Sequence, residues 1–263
     1  MHFNVADSYE DTGSPLHLMD ARVKVALVFL MILLIALTPM GAFGAYIGFF
    51  VIMMAGALIA RVDPLMVVKR SLVALPFAAA AITLVFTMPG PSLGNVPLVG
   101  WPISVPGLIR FASIMFKSTI SVQAAVLLMA STHFTDMIWA LSALRVPKVL
   151  VSIISFMYRY LFVLAEEALR LTRARDSRSA VIGGNPAYGG SVIFRAQTSG
   201  RLIGNLFTRS FERSERVYQA MVSRGYRGEM KHLAPPPLRA RDVLAAAGVL
   251  AAGLLLVMAS VML

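Results

Sequence analysis

Arginine is the residue through which this sequence could do chemistry. Two tripeptides, Ser177-Arg178-Ser179 and Ser223-Arg224-Gly225, set a guanidinium between small neighbours. An arginine flanked in this way approaches a partner's groove closely and meets a carboxylate through two parallel hydrogen bonds. One small-Arg-small tripeptide is common. Two of them, each closing a charged helical stretch, make a more specific pattern that points to docking on a soluble partner. Two other readings stand beside it. A basic face is attracted to anionic lipid head groups by about 1 kcal/mol per residue. Nucleic-acid binding is the weaker option, because no aromatic–basic interleaving or reader motif accompanies the arginines.

Other reactive groups are missing from the sequence. With no cysteine there is no disulfide, thiol nucleophile or Cys-ligated metal. The four histidines (His2, His17, His133 and His232) never fall at zinc-hydrolase spacing, and His2 reads as a solvated terminal residue. No G-x-x-x-x-G-K-[ST] loop occurs, and the glycines of 183–190 read as a turn. No Asp or Glu lies deep in an apolar run, where a proton- or sodium-coupled carrier needs one. The expectation is therefore a chain without catalytic residues, metal ligands or a cofactor of its own. A permease binding its own substrate and a lipid-acting membrane enzyme remain as alternatives. The enzyme would need clustered Asp or His at the span ends, and the sequence has none.

The elements that must carry these arginines are greasy. Of 263 residues, 58% are hydrophobic and 14% charged, against about 45–50% and 25% in soluble domains. An ordinary cytosolic globule is excluded. Residues 145–241 hold 17 of the 24 Lys+Arg and 6 of the 13 acids, so the whole formal charge of +11 sits there. Ahead of the first apolar run lie Asp7, Glu10, Asp11 and Asp20, unlike the basic opening of a secretory signal, and the N-terminus reads as retained.

A helix needs about 20 apolar residues to cross a bilayer core. Five runs qualify: 23–40, 41–60, 69–88 (with Pro76 expected to kink it), 108–131 and 243–263. Arg110, Lys117 and Gln123 in the fourth must snorkel or face a polar interior. The loop 89–106 has no Lys or Arg and reads as outside, with Trp101 at the interface; the basic turn 61–70 reads as inside. This gives an all-α polytopic membrane protein of about five transmembrane helices. It is divided as a cytoplasmic N-terminus (1–22), a four-helix membrane domain (23–131), a cytoplasmic helical insert (132–241) and a final span (242–263).

Within the insert, 148–180 reads as one long helix without Gly or Pro. Arg159 and Glu166-Glu167 interrupt its apolar half, so it is expected to lie partly in the membrane interface rather than span it. A second amphipathic helix, 201–223, carries Ile203, Leu206, Phe207, Phe211, Val217, Tyr218 and Met221 at three- and four-residue steps and ends at Gly225. Pro235-Pro236-Pro237 stiffens the approach to the last span.

Three stretches carry a resemblance. "SPLHLMDARVKV" (14–25), "ALRVPKVLVSIISFMYRYLFVLAEEALRLTRARDSRSA" (143–180) and "LFTRSFERSERVYQAMVSRGYRGE" (206–229) resemble the transmembrane T component (EcfT/CbiQ family) of energy-coupling factor (ECF) ABC transporters, nearest its cobalt/nickel branch. The resemblance implies a non-catalytic coupling subunit of an importer in the bacterial or archaeal cytoplasmic membrane. It implies that Ser177-Arg178-Ser179 and Ser223-Arg224-Gly225 dock two ABC ATPase subunits, which hold the ATP and magnesium. It further implies a substrate-binding S component, CbiM-like and with a small CbiN-like subunit in some systems, resting against 149–164 and 202–222. Cobalt(II) is the expected substrate; a nickel, biotin or general vitamin system is the alternative. The family's motifs are Ala-Arg-Gly-like, and this sequence departs by Ser177, Ser179 and Ser223, all still small. Arg175, Glu167 and Glu215 are expected to orient the helices, with a simple solvated face as the alternative.

Overall fold

The computed structural model describes residues 12–89, 91–95, 102–178, 192–228 and 238–262. They form an all-α polytopic membrane protein with one short antiparallel hairpin, β1 (Ser92–Asn95) with β2 (Pro102–Ser104). Backbone contacts divide the chain into two units, one holding residues 145–233 and a larger one holding the stretches on either side of it. Trp101, Ser179, the 183–190 turn and the Pro235-Pro236-Pro237 approach lie outside the described residues.

The larger unit contains α1 (Ala21–Leu37), α2 (Phe43–Ala60), α3 (Pro64–Ser71), α4 (Leu75–Ala79), α5 (Thr83–Thr87), α6 (Val105–Ser131), α7 (Phe134–Ala143) and α10 (Ala240–Met262). Local chemistry sets where the helices start. Asp20 Oδ1 accepts from the Arg22 N–H at 2.9 Å to cap α1, and Asp63 caps α3 ahead of Pro64. Helix α6 is the hub, packing against α1, α2, α3, α4 and α5, while α10 closes on α1 and α2. Its buried positions include Ser113, Ile120, Gln123, Ala124, Leu127 and Ala130. Ile120 and Ala124 join Met31, Ile35, Tyr46, Phe49 and Met53 in the main core.

In lipid, apolar side chains gain little by exchanging tails for one another, so helices associate through close contact at small residues. Gly107 shows this, since a Cβ there would run into the backbone of Leu84 and Val85 on α5. Two lysines add polar ties between α1 and α6. The Lys24 Nζ donates to the Ser131 carbonyl at 2.8 Å, and the Lys117 Nζ donates to the carbonyls of Ala36 and Thr38. Each ammonium thereby satisfies carbonyls that the other helix's C-terminal end leaves open. Lys117 thus faces a polar helix end. Gln123 is fully buried, and its side-chain amide has no hydrogen-bond partner among the described residues.

Among the described residues, four helices are long and apolar enough to cross a membrane: α2, α6, α10 and 148–177 of α8 (Lys148–Arg178). The first three coincide with expected spans. The first expected span is α1, 17 residues long. The stretch 69–88 is not one regular helix: α3, α4 and α5 are joined by 3-10 turns at 72–74 and 80–82. Pro76 accounts for the first interruption, because it has no N–H to give the carbonyl four residues back. Helix α8 joins the four by length and composition, although Arg159 weighed against a span.

The smaller unit is the pair α8 and α9 (Val192–Ser223), with α9 starting nine residues earlier than its apolar periodicity shows. The two pack on each other. Ile153, Met157, Tyr160 and Leu164 of α8 share a groove of about 450 Å³ with Ser210, Ser214, Val217 and Met221 of α9. Both sets step by four, three and four residues, as one face of a helix does, although Phe156 and Arg213 also line the groove and Ile153 and Met157 stay more than half exposed.

Candidate functional site

The two arginine tripeptides occupy comparable places, at the C-terminal ends of α8 and α9. Ser177 lies exposed in the last turn of α8, and Arg178 is that helix's final residue. Ser223 is the last residue of α9, with Arg224 and Gly225 immediately beyond it, all three exposed. The α9 end is built by its sequence. Gly225 has φ +82°, its N–H donates to the Val222 carbonyl at 2.9 Å, and the Tyr226 N–H reaches back to Met221 at 3.0 Å. This pair of bonds is a Schellman closure, which requires a left-handed residue at the Gly225 position. A Cβ at Gly225 would meet nothing within 4 Å, so conformation rather than crowding selects glycine there. Gly228, at φ +86°, is a second left-handed residue just beyond it. Arg224 therefore stands on a helix terminus whose path is fixed by hydrogen bonds, with its guanidinium open to solvent.

The two helices that present these ends are tied to each other by polar contacts. The Arg209 Nη1 donates to Glu167 Oε1 at 2.8 Å, and Arg175 Nη1 to Ser199 Oγ at 3.5 Å. Glu167 and Arg175 thus both bridge α8 to α9, whereas Glu215 lies exposed on α9. A small polar cleft of about 140 Å³ surrounds the first bridge, with Arg213, Arg216 and Glu212 on its walls. Sequence reasoning did not find the α8–α9 seam. Its signal was present as the matching four-three-four spacing, but the α8 stripe was hidden inside an almost uniformly apolar stretch. Among the described residues no group of three or more His, Cys, Asp or Glu side chains could hold a metal ion.

Fold and site together define a class: a multi-pass helical membrane protein with a paired-helix unit whose ends present small-Arg-small motifs. A family model described as "Cobalt transport protein", CbiQ, matches residues 12–233. The chain belongs to the CbiQ family of cobalt transport proteins. It is 29% identical over 192 residues to an uncharacterized protein of Methanocaldococcus jannaschii, covering 71% of this chain and 63% of that one. It is 28% identical over 163 residues to the cobalt transport protein CbiQ of Rhodobacter capsulatus, covering 60% and 63%. A putative fused cobalt transport protein CbiMQ of Methanocorpusculum labreanum is 26% identical over 223 residues, covering 83% of this chain and 36% of the fused one. In each case the match spans less than two thirds of the relative's own length.

Proposed function

We propose that this chain is the transmembrane coupling (T) component of an ECF-type ABC importer for cobalt(II). In this reading Ser177-Arg178-Ser179 and Ser223-Arg224-Gly225 each seat in a groove of one of two ABC ATPase subunits. ATP and magnesium are held by those subunits, and this chain supplies no catalytic group. The α8–α9 pair passes the closure of the ATPase dimer to a separate CbiM-like substrate-binding membrane subunit. The N-terminus and the 132–241 insert face the cytoplasm of a bacterial or archaeal cell, and the chain is anchored in its cytoplasmic membrane.

The observation that carries this reading is the α9 terminus. A solvent-open arginine sits on a hydrogen-bonded, glycine-closed helix end in a chain whose family match covers 12–233. Such an end fixes the backbone from which the guanidinium reaches out, so that a groove shaped for it can make a bidentate contact through a carboxylate. The fused CbiMQ relative supports a CbiM-like partner, and the names of the relatives support cobalt over nickel.

The test is charge reversal at both motifs. Arg178→Glu with Arg224→Glu should leave the protein in the membrane and abolish both co-purification of the ATPases and ATP-dependent cobalt(II) uptake. Loss of one partner of a desolvated charge pair costs about 2–5 kcal/mol, enough to break the complex. Retained co-purification and uptake in the double variant would sink the docking assignment.

A further inference from the structure

In the chain, α7 of the larger unit comes directly before the 145–233 unit and α10 comes next after it. Helices α7 and α10 lie far apart in sequence, yet three residues at the start of α1 hold both. The Arg22 guanidinium lies over the Trp139 ring of α7, 4.1 Å from its centre. The Asp20 N–H donates to Asp242 Oδ2 of α10 at 3.1 Å. Lys24 adds the hub, through its bond to Ser131 at the end of α6, and has the carboxylates of Asp20, Asp136 and Asp242 as its charged neighbours.

The cluster is buried: Lys24 and Asp242 are each only 4% exposed. Two nitrogens of the Arg22 guanidinium are buried without a hydrogen-bond partner, so the Trp139 face and Asp20 carry its contacts. Burying this much charge is a poor way to gain stability, since desolvation offsets most of the attraction, and apolar packing would serve as well. What charge adds is direction. Each partner has one low-energy position, and displacing it leaves a buried charge uncompensated.

We propose that the Asp20–Arg22–Lys24 cluster is the anchor against which the 145–233 unit works, holding on a single body the two helices, α7 and α10, that flank that unit in sequence. This rests on the coupling role proposed above. If α8 and α9 are pushed by ATPase closure, useful work reaches a membrane partner only if α7 and α10 do not give way. The anchor residues position these helices and touch neither ATP nor substrate.

The test uses the full complex with its ATPases and substrate-binding subunit in liposomes, with radioactive cobalt(II) as the probe. Asp242→Leu removes the acceptor of the Asp20 N–H and so frees α10, and Trp139→Leu removes the ring beneath Arg22 while keeping apolar bulk. Each should lower the cobalt(II) taken up per ATP hydrolysed, and the pair should lower it by about tenfold, equivalent to 1.4 kcal/mol. ATPase binding should be unchanged. A role confined to holding the fold would lower thermal stability but leave that ratio intact in the complexes that assemble. A folded double variant with the unsubstituted ratio would overturn the anchor alone; if the pair does not fold, either single variant decides by the same readout. An unsubstituted complex that moved no cobalt(II) on ATP would overturn the coupling reading, and the anchor with it.

Discussion

Helices α6 and α9 are both long, at 27 and 32 residues, and they live in opposite surroundings. Helix α6 packs against five other helices and buries small and polar side chains along its length. Helix α9 packs on α8, while Ile203, Phe207, Phe211 and Tyr218 remain exposed on it. The contrast shows that hydrophobicity alone does not separate the interior of this molecule from its surface. The buried face of α6 includes Ser113 and Gln123, and the exposed face of α9 includes two phenylalanines. In a membrane protein small size permits burial, because surrounding lipid accepts large apolar side chains as readily as a core does.

The sharpest way to break this comparison is to shorten one phenylalanine in each unit. Phe49 is fully buried among α1, α2, α6 and α10, whereas Phe207 is 71% exposed. Phe49→Ala should cost the chain about 3 kcal/mol, at the low end for such truncations because the cavity dominates where lipid replaces water. Phe207→Ala should stay within about 0.5 kcal/mol. Thermal unfolding of the two variants in detergent would compare them directly, and equal losses would refute the division between a packed unit and an open one.

A smaller effect is expected where a helix end, rather than a core, is altered. Gly225→Ala forces a side chain into left-handed backbone at a cost of about 1 kcal/mol. Because the site is open, the strain should be local. Amide exchange at Gly225 and Tyr226 should speed up while the core of the larger unit stays protected. Unchanged exchange at these amides would show that the α9 terminus is held by something other than its Schellman closure.

The smallest effect should come from Glu167→Gln. It removes the charge opposite Arg209 at a site where the arginine is 60% exposed, so solvent screening limits the loss to about 0.5 kcal/mol. Its informative readout is the spacing of α8 and α9, followed by spin-label distances in this cysteine-free background. A broadened distribution is expected. An unaltered one would assign the pairing to the apolar seam alone.

Much of this molecule was legible before any coordinates. The apolar runs that became α2, α6 and α10 could be read because backbone polar groups in lipid must be satisfied within the helix, which demands an uninterrupted apolar segment. Gly225 was legible as a terminator because few residues adopt positive φ. In 69–88 the break at Pro76 was legible from its missing N–H, but the second 3-10 turn at 80–82 was not, since hydropathy records solvent preference and not the hydrogen-bond pattern. Helix α8 is long and apolar enough to cross a membrane, while Arg159 and Glu166-Glu167 favour an interfacial position, and composition alone does not choose between the two.

The sequence by itself determined which segments are helical and apolar, where the positive charge gathers and which arginines stand beside small neighbours. These follow from local composition and backbone preference. Only the tertiary structure decided that Asp20 meets Asp242 across 222 positions, that Lys24 and Lys117 satisfy the ends of each other's helices, and that Glu167 faces Arg209. Pairings of that kind depend on which helix ends come to lie side by side, and that is fixed by the packing of the whole bundle around α6.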